Sequence, residues 1–568
     1  MVVSGMSIKG NKEEVARDSS EYSHPDIDES GETPGVDAIV DLEKQPPKNE
    51  DEFEDELERH LSRKSSHRTK LGPVKYPLTD LDSGVVGWDT QNDPHNPRNF
   101  PQNRKWFILG LVSAITFLRY EAFSSLPSHL DSLALCSPLA SSIFAPGVSF
   151  VSHEFHNTSE ILGAFSVSVF VLGFAVGPLF LSPLSEIYGR RIILNISNVF
   201  FCAFNLGCAL APNLAGLIIM RLLAGIGGSA CLTIGSGVIS DLFVPEQRGK
   251  AMAMYSLGIL FGPVLGPICG GFVAQRAGWR WDFWVVFIAG VIITTGIIVM
   301  GRETNPTVLI DRKTARLRKE HNRPELRNIY THKQEAATLT TRYILSRGMF
   351  RPLKLLFTSP IVFLLSLYVS FVFGLLFLLF TTITGVYIQT YGWSPELCGL
   401  AYLGVGLGNF CGIIVVARTS DATIIRLTKR NNGVYEPEMR LPTCVFFGAL
   451  IPISFFWYGW ATHQKTHWIV PIIGLFPFGA GMMGVFAPIQ TYLIDSFPQY
   501  AASAVAGMTV IRCLFGAVLP LGAPSMYKQL GLGWGNSLLG FIAVAMIPAP
   551  ALIYKYGGYV RKRWPVEL

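Results

Sequence analysis

The apolar residues of this chain are gathered into long runs, with polar residues confined to short gaps between them. Eleven runs lie near 161–182, 192–211, 213–235, 251–273, 282–301, 360–382, 396–417, 442–461, 468–490, 501–521 and 533–554. A helix of ~20 residues crosses the ~30 Å of hydrocarbon in a bilayer. Each run therefore predicts a membrane-spanning helix. A charged stretch at 302–358 has six of the runs after it and five before it. One more span is required at the front for symmetry, so the runs are numbered spans 2 to 12.

The front of the chain resists a simple span 1. Trp106–Leu118 and Ser137–Phe150 are apolar but individually too short. Between them, Arg119–Cys136 carries an Arg, a Glu, an Asp, a His and a Pro. Joining the flanks directly gives an uninterrupted span. One explanation is a true external or re-entrant loop splitting the helix. The other is a retained intron: eighteen residues keep the reading frame, Arg-Tyr can encode a GT start and Cys-Ser a CAG end. The physics of insertion favours the second. The expected organisation is a disordered acidic tail over 1–104, with a short ordered approach near Gly87-Trp88-Asp89. A first six-helix bundle over 105–301 (with 119–136 as a non-native insert) and a central loop over 302–358 follow. A second bundle over 359–555 and a short tail over 556–568 complete the chain. The fold class is an all-α membrane protein of twelve spans in two pseudo-symmetric six-helix bundles.

Charge sharpens this picture. Residues 1–100 hold 22 of the 41 acids but only 12 of the 47 bases, so the rest of the chain is strongly basic. A basic balance can signal nucleic acid, but here the bases sit in clusters between apolar runs, and no nucleic-acid partner is expected. Arg190-Arg191, Arg248 with Lys250, the run 312–354, Arg418 to Arg440 and Arg561-Lys562-Arg563 all fall on one side. The opposite loops hold only Arg276, Arg280, Lys465 and Lys528. Cations concentrate in cytoplasmic loops, which places both termini inside. No signal peptide precedes the first apolar run. Asn157-Thr158-Ser159 is a glycosylation sequon in the first external loop.

The nine cysteines lack paired metal-ligand spacing, and those such as Cys202, Cys208, Cys231 and Cys269 fall inside apolar runs as packing residues. No metal or cofactor follows from them. The chain has no nucleophile constellation and no phosphate loop: Gly225-Ile-Gly-Gly is helical and no lysine follows it. An enzyme is not expected, and without a phosphate loop any transport would draw on an ion gradient rather than on ATP.

Three constellations carry chemistry. Gly177 to Arg191 spans the end of span 2 and a tight turn, where Glu186 is placed to accept hydrogen bonds from Arg190 and Arg191 or from a helix N-terminus. Two arginines after a span are also a plain topology signal. Span 4 contains Arg221, which in an apolar helix must face a cavity or a partner, or else snorkel to the interface. It is always charged, so it can tune a neighbouring carboxylate but not carry the proton. Span 5 carries Gly258, Gly262, Pro263, Gly266, Pro267, Gly270 and Gly271, with glycines every four residues making a smooth face for another helix.

Together these motifs resemble the fungal twelve-span drug:proton antiporter branch of the major facilitator superfamily, near polyamine- and multidrug-resistance exporters. Gly177–Arg191 looks like motif A, the Arg221 segment like motif B, and Gly258–Gly271 like the antiporter motif C. Asp241 to Lys250 (with Arg248), Trp279 to Trp284, Arg351 to Pro360, and Tyr492 with Asp495 are further echoes, and the likeness runs from about Gly87 to Tyr559. It departs in three places: the insert breaks span 1, Glu186 replaces the usual Asp, and the second-half turn Ala417 to Asp421 is degenerate.

The resemblance implies a monomeric plasma-membrane exporter exchanging protons for a small organic molecule, with Arg221, Glu186, Arg190, Arg191, Asp241 and Arg248 in coupling or gating. Uptake by symport and a non-transporting receptor are the rivals, and motif C argues against the first. No acid lies in the middle of a span: Glu160, Glu186, Asp241, Glu396 and Asp495 sit near ends. The proton carrier stays unassigned. Arg512, in mid-span 11, is either a cavity cation or the structural partner of Asp495.

Overall fold

The computed structural model describes residues 76–114, 140–243, 262, 265–332, 341–431, 436–497 and 501–563. Span 2 is the helix Glu160–Tyr188, span 3 Arg190–Ala209, span 4 Leu214–Leu242 and span 6 Arg280–Met300. Span 7 is Pro360–Tyr391, span 8 Pro395–Arg430, span 9 Pro437–His463 and span 10 Ile469–Ser496. Spans 11 and 12 form one run, Ser503–Arg561, broken at Gly531, whose φ of 71° and ψ of 173° lie outside helical space. Of span 5 the described part is the helix 265–276. Of span 1 the described parts are the helix Gln102–Ala114 and the stretch from Ala140 onward, which includes the short helix Val148–Glu154. The suspected insert 119–136 lies outside the described residues.

Local sequence explains where the spans begin. Ser159, Asn213 and Ser359 accept hydrogen bonds from the backbone N–H groups of Leu162, Gly216 and Val362. Each thereby satisfies a donor that the first helical turn leaves free. The spans also extend beyond their apolar runs, span 2 to 29 residues, because Ser, Glu and Tyr continue the helix past the hydrocarbon.

Large apolar side chains cover the outer surface, among them Ile196, Val299, Phe446 and Phe541. In a chain of this kind such a surface meets lipid, since helices satisfy their own backbone groups. The two halves touch along span 2 and span 11, where Ser168 Oγ donates to the Ala517 carbonyl at 2.9 Å. They touch again between the helix 265–276 and the start of span 8.

One end of the bundles carries the turn after span 2, the segment 302–332 and the helix Thr341–Thr358; it is called the basic face here, and the other the sparse face. On the basic face, residues 76–100 are folded, which corrects the expectation of disorder up to residue 104. Strand β1 (Val85–Val86) pairs in parallel with β2 (Arg327–Asn328). Val86, Trp88, Ile310 and Leu326 form a small apolar core of their own. Trp88 Nε1 donates to the Tyr330 hydroxyl at 3.0 Å, and Lys313 Nζ bonds Asp89 at 2.6 Å and the Gly87 carbonyl at 2.8 Å. The central segment is likewise not a plain loop: Pro306–Glu320 is a helix capped by Asn305. This partner, 242 residues away in sequence, supplies the apolar surface that the N-terminal segment alone lacks.

Candidate functional site

On the basic face the turn between spans 2 and 3 is a single residue, Gly189, with φ of 104°. A Cβ there would also collide with the Glu303 carboxylate. Glu303, buried just after span 6, accepts from the backbone N–H groups of Arg190 (2.8 Å), Arg191 (3.3 Å), Thr304 and Asn305 (3.0 Å each). It caps the N-terminus of span 3, where a negative charge meets the positive end of the helix dipole. Arg190 in turn reaches Asp241 at the end of span 4 (Nε to Oδ2, 3.3 Å) and Ser185 Oγ (2.7 Å). Arg191 donates to the Ile298 carbonyl at 2.7 Å.

The bonds expected of Glu186 are therefore made by Glu303 and Asp241. Glu186 is exposed, and its carboxylate makes no hydrogen bond among the described residues. Its side chain points off the turn while the interior positions belong to Ser185 and Gly189. A recess of about 280 Å³ opens beside this latch, lined by His95, Phe100, Arg191, Arg302, Glu303, Leu309 and Arg312. Arg248 lies outside the described residues.

Near the sparse face, Arg221 is 1% exposed, so it does not snorkel. Its guanidinium lies over the rings of Phe144 (4.8 Å), Phe170 (5.5 Å) and Phe283 (5.5 Å), and it donates to the Val167 carbonyl at 3.3 Å. Cation–π contacts of this kind replace part of the lost hydration. The charge closest in kind is Asp282, in the first turn of span 6, which is wholly buried. At the rim, Glu154 accepts from Trp279 Nε1 (2.7 Å) and from Arg280 (2.6 Å). The Trp279 hydrogen bond, followed by Arg280, holds the Glu154 carboxyl below the usual carboxylate range.

Asp282 escaped the sequence reading because an acid in a first helical turn is what the helix dipole favours anyway. The usable signal was its place inside the aromatic stretch Trp279 to Trp284. The sequon residue Asn157 sits close by, its amide exchanging hydrogen bonds with the backbone of Ser159.

Gly262 is helical and buried, while Gly258 and Pro263 lie outside the described residues. Buried Gly266 and Pro267 lead into Gly270, which is packed on the Ile143 carbonyl of the first-span segment, and Gly271, which faces span 8. A Cβ on Gly271 would stand 2.9 Å from the Pro395 carbonyl oxygen, and one on Gly399 only 2.6 Å from that of Pro267. Backbone thus meets backbone across the two halves. At the end of this seam Arg276 bonds Glu396 at 3.3 Å.

In the second half, Arg512 and Asp495 do not pair. Asp495 bonds Arg440 at 2.5 Å, whereas the Arg512 guanidinium is sandwiched by Phe373 (4.8 Å) and Phe486 (5.0 Å). Its Nε finds no acceptor among the described residues. Phe373 and Phe486 also line an apolar cleft with Val369, Val372, Met482 and Val485. Tyr492 is fully buried near Glu438 and Ser496, away from that cleft.

Membrane-length helices in two packed halves, with buried arginines held by aromatic rings, define a polytopic membrane transporter. The profile of the Major Facilitator Superfamily matches residues 130–520, and the chain belongs to that superfamily. It is 44% identical over 498 residues to the MFS transporter cpaT of Aspergillus oryzae, covering 88% of this chain and 95% of that one. It is 43% identical over 493 residues to the efflux pump radE of Floropilus chiversii, covering 86% and 87%. The fold is shared with the xylose transporter XylE from E. coli in a partially occluded inward-open conformation, with a TM-score of 0.58 at 18% identity, over 80% of this chain and 98% of that one. The family and these relatives are transporters, not enzymes.

Proposed function

We propose that this protein is a proton-coupled exporter of a small organic compound, lipophilic or cationic, acting as a monomer in the plasma membrane with both termini in the cytosol. The observation that carries the reading is the glycine seam between the helix 265–276 and residues 395–399. It lets two halves seal one face by backbone contact alone, which can part without extracting any large side chain from a pocket. Seals of this kind suit alternating access, in which one bundle rocks against the other around a central path. The efflux-pump name of a close relative supports the outward direction. The basic face then corresponds to the cytosol, consistent with its arginines.

In this reading the Arg190–Asp241 latch and the Glu303 cap steady the cytosolic end, while Arg276–Glu396 closes the external one. The apolar cleft under Arg512 offers aromatic surface to a substrate. The test is accumulation of a fluorescent lipophilic cation in cells with and without the protein, at two external pH values. Export predicts lower accumulation in expressing cells, by more at acidic external pH. Higher accumulation in expressing cells, or a difference indifferent to pH, overturns the reading.

A further inference from the structure

Among the described residues, Asp282 is an acid whose placement no packing role explains. Its side chain is wholly buried at the start of span 6, and neither carboxyl oxygen accepts a hydrogen bond among the described residues. A Cβ on Gly147 would stand only 3.3 Å from Oδ2, so the first-span segment packs directly on the carboxyl, and Gly147 itself is packed on Trp279 and Ala274. The buried Arg221 lies near enough to act on it electrostatically, yet donates no hydrogen bond to either oxygen. An ionised carboxylate with no donor has lost its water for nothing, whereas a neutral carboxyl tolerates such a place far better.

We propose that Asp282 is the proton-binding site of the transporter and that its protonation is the condition for closing the sparse face. The inference rests on the transport reading above. With the face open, water reaches the carboxylate and a hydronium gives its proton to one Oδ, forming an O–H bond and releasing water. The side chain goes from one negative charge to none. Closure then buries a neutral acid. Closing over the ionised form would strand a charge, so the open state is held until the proton arrives. When the other face opens, Arg221 is the cation able to draw the proton off by stabilising the carboxylate.

Among the described residues, few other titratable groups face this place. Span 4 offers Arg221, the helix 265–276 offers the Cys269 thiol, and span 3 offers the Cys208 thiol beside Arg221. The Gly147 segment offers none. Glu154 and Arg280, at the rim, are already paired. The Trp279 hydrogen bond holds the Glu154 carboxyl below the usual carboxylate range.

Hydrogen–deuterium exchange on the full chain in nanodiscs tests this without a known substrate. After correction for intrinsic rates, wild-type residues 265–282 should lose protection at least tenfold between pH 5 and pH 7.5. Asp282→Asn, a permanent mimic of the protonated acid, should stay protected at both values. Asp282→Glu should keep the pH response with a displaced midpoint. A wild-type segment whose protection ignores pH, or an Asp282→Asn protein that still follows the wild-type profile, overturns the proposal. Export that is not driven by a pH gradient would instead sink the transport reading and leave the exchange result standing.

Discussion

Arg276 Nε stands 3.3 Å from Glu396 Oε2, tying the end of the span 5 helix to the turn that begins span 8. Arg276 is 73% exposed and Glu396 26%, so water and salt screen the pair, and such bridges contribute at most about 1 kcal/mol. This bond biases the closed sparse face without locking it. Arg276→Ala should raise the open population by roughly fivefold at most, read as exchange at 265–276. The swap Arg276→Glu with Glu396→Arg should bring it back, and added salt should shrink both effects. Loss of all export in Arg276→Ala would mean the pair does more than bias.

Backbone closeness at the seam predicts a larger effect from a smaller atom count. Gly399→Leu puts carbon where Pro267 and Ile268 now stand. The variant should insert and fold but never close, giving high exchange at 265–282 at every pH and no export. Normal transport by a well-expressed Gly399→Leu protein would show that the seam does not seal.

The four hydrogen bonds at Glu303 set it apart from Glu186. Glu303→Ala frees backbone donors inside a buried turn, at about 1–3 kcal/mol, and should lower the melting temperature by several degrees. Glu186→Ala should leave it within about 0.5 kcal/mol. Thermal unfolding of both variants in detergent decides the matter, and equal losses would contradict the capping role.

Arg512 makes a different kind of contact. Cation–π stacking on Phe373 and Phe486 is worth about 0.5–2 kcal/mol and leaves Nε without an acceptor. Arg512→Ala should therefore reduce efflux strongly while the melting temperature moves little. Asp495→Asn, which breaks the bond to Arg440, should do the reverse. If Arg512→Ala unfolds the protein, the residue is a structural one.

The stretch 119–136 would place Arg119, Glu121 and Asp131 between two half-spans of ~13 residues, each short of a crossing. A charge at a helix centre costs roughly 2.5–3.5 kcal/mol on insertion. Transcript sequencing should show the stretch removed from the functional message, and a protein lacking it should express and export better. A single transcript that retains it, with equal transport, would establish it as a genuine loop.

Spans 2 to 4 and 6 to 12 were legible because hydropathy over 20 residues is a property of the chain alone, set by bilayer thickness. The turn at Gly189 was legible for a similar reason, since few residues other than glycine adopt its backbone. Partners were not. Nothing in sequence ties Glu303 to Arg190, because the loop after span 6 must first fold beneath span 3. Sequence offers Arg512 as one partner for Asp495, whereas the register of span 9 against span 10 brings it Arg440 instead. Trp88 was noticeable as a lone aromatic in a polar stretch, but its receptor surface lies beyond spans 1 to 6.

That last separation governs how the molecule is made. Trp88 meets Tyr330 across 242 residues. At about 5–20 residues per second of synthesis, the N-terminal segment waits on the order of ten to fifty seconds for its partner. Six spans must enter the bilayer before the small core of Val86, Trp88, Ile310 and Leu326 can form. When it does, it pins the N-terminal segment to the segment after span 6 on the basic face, so this core acts as a checkpoint: a ribosome-bound chain stalled before residue 330 would present an unclasped Trp88 to any chaperone or protease nearby.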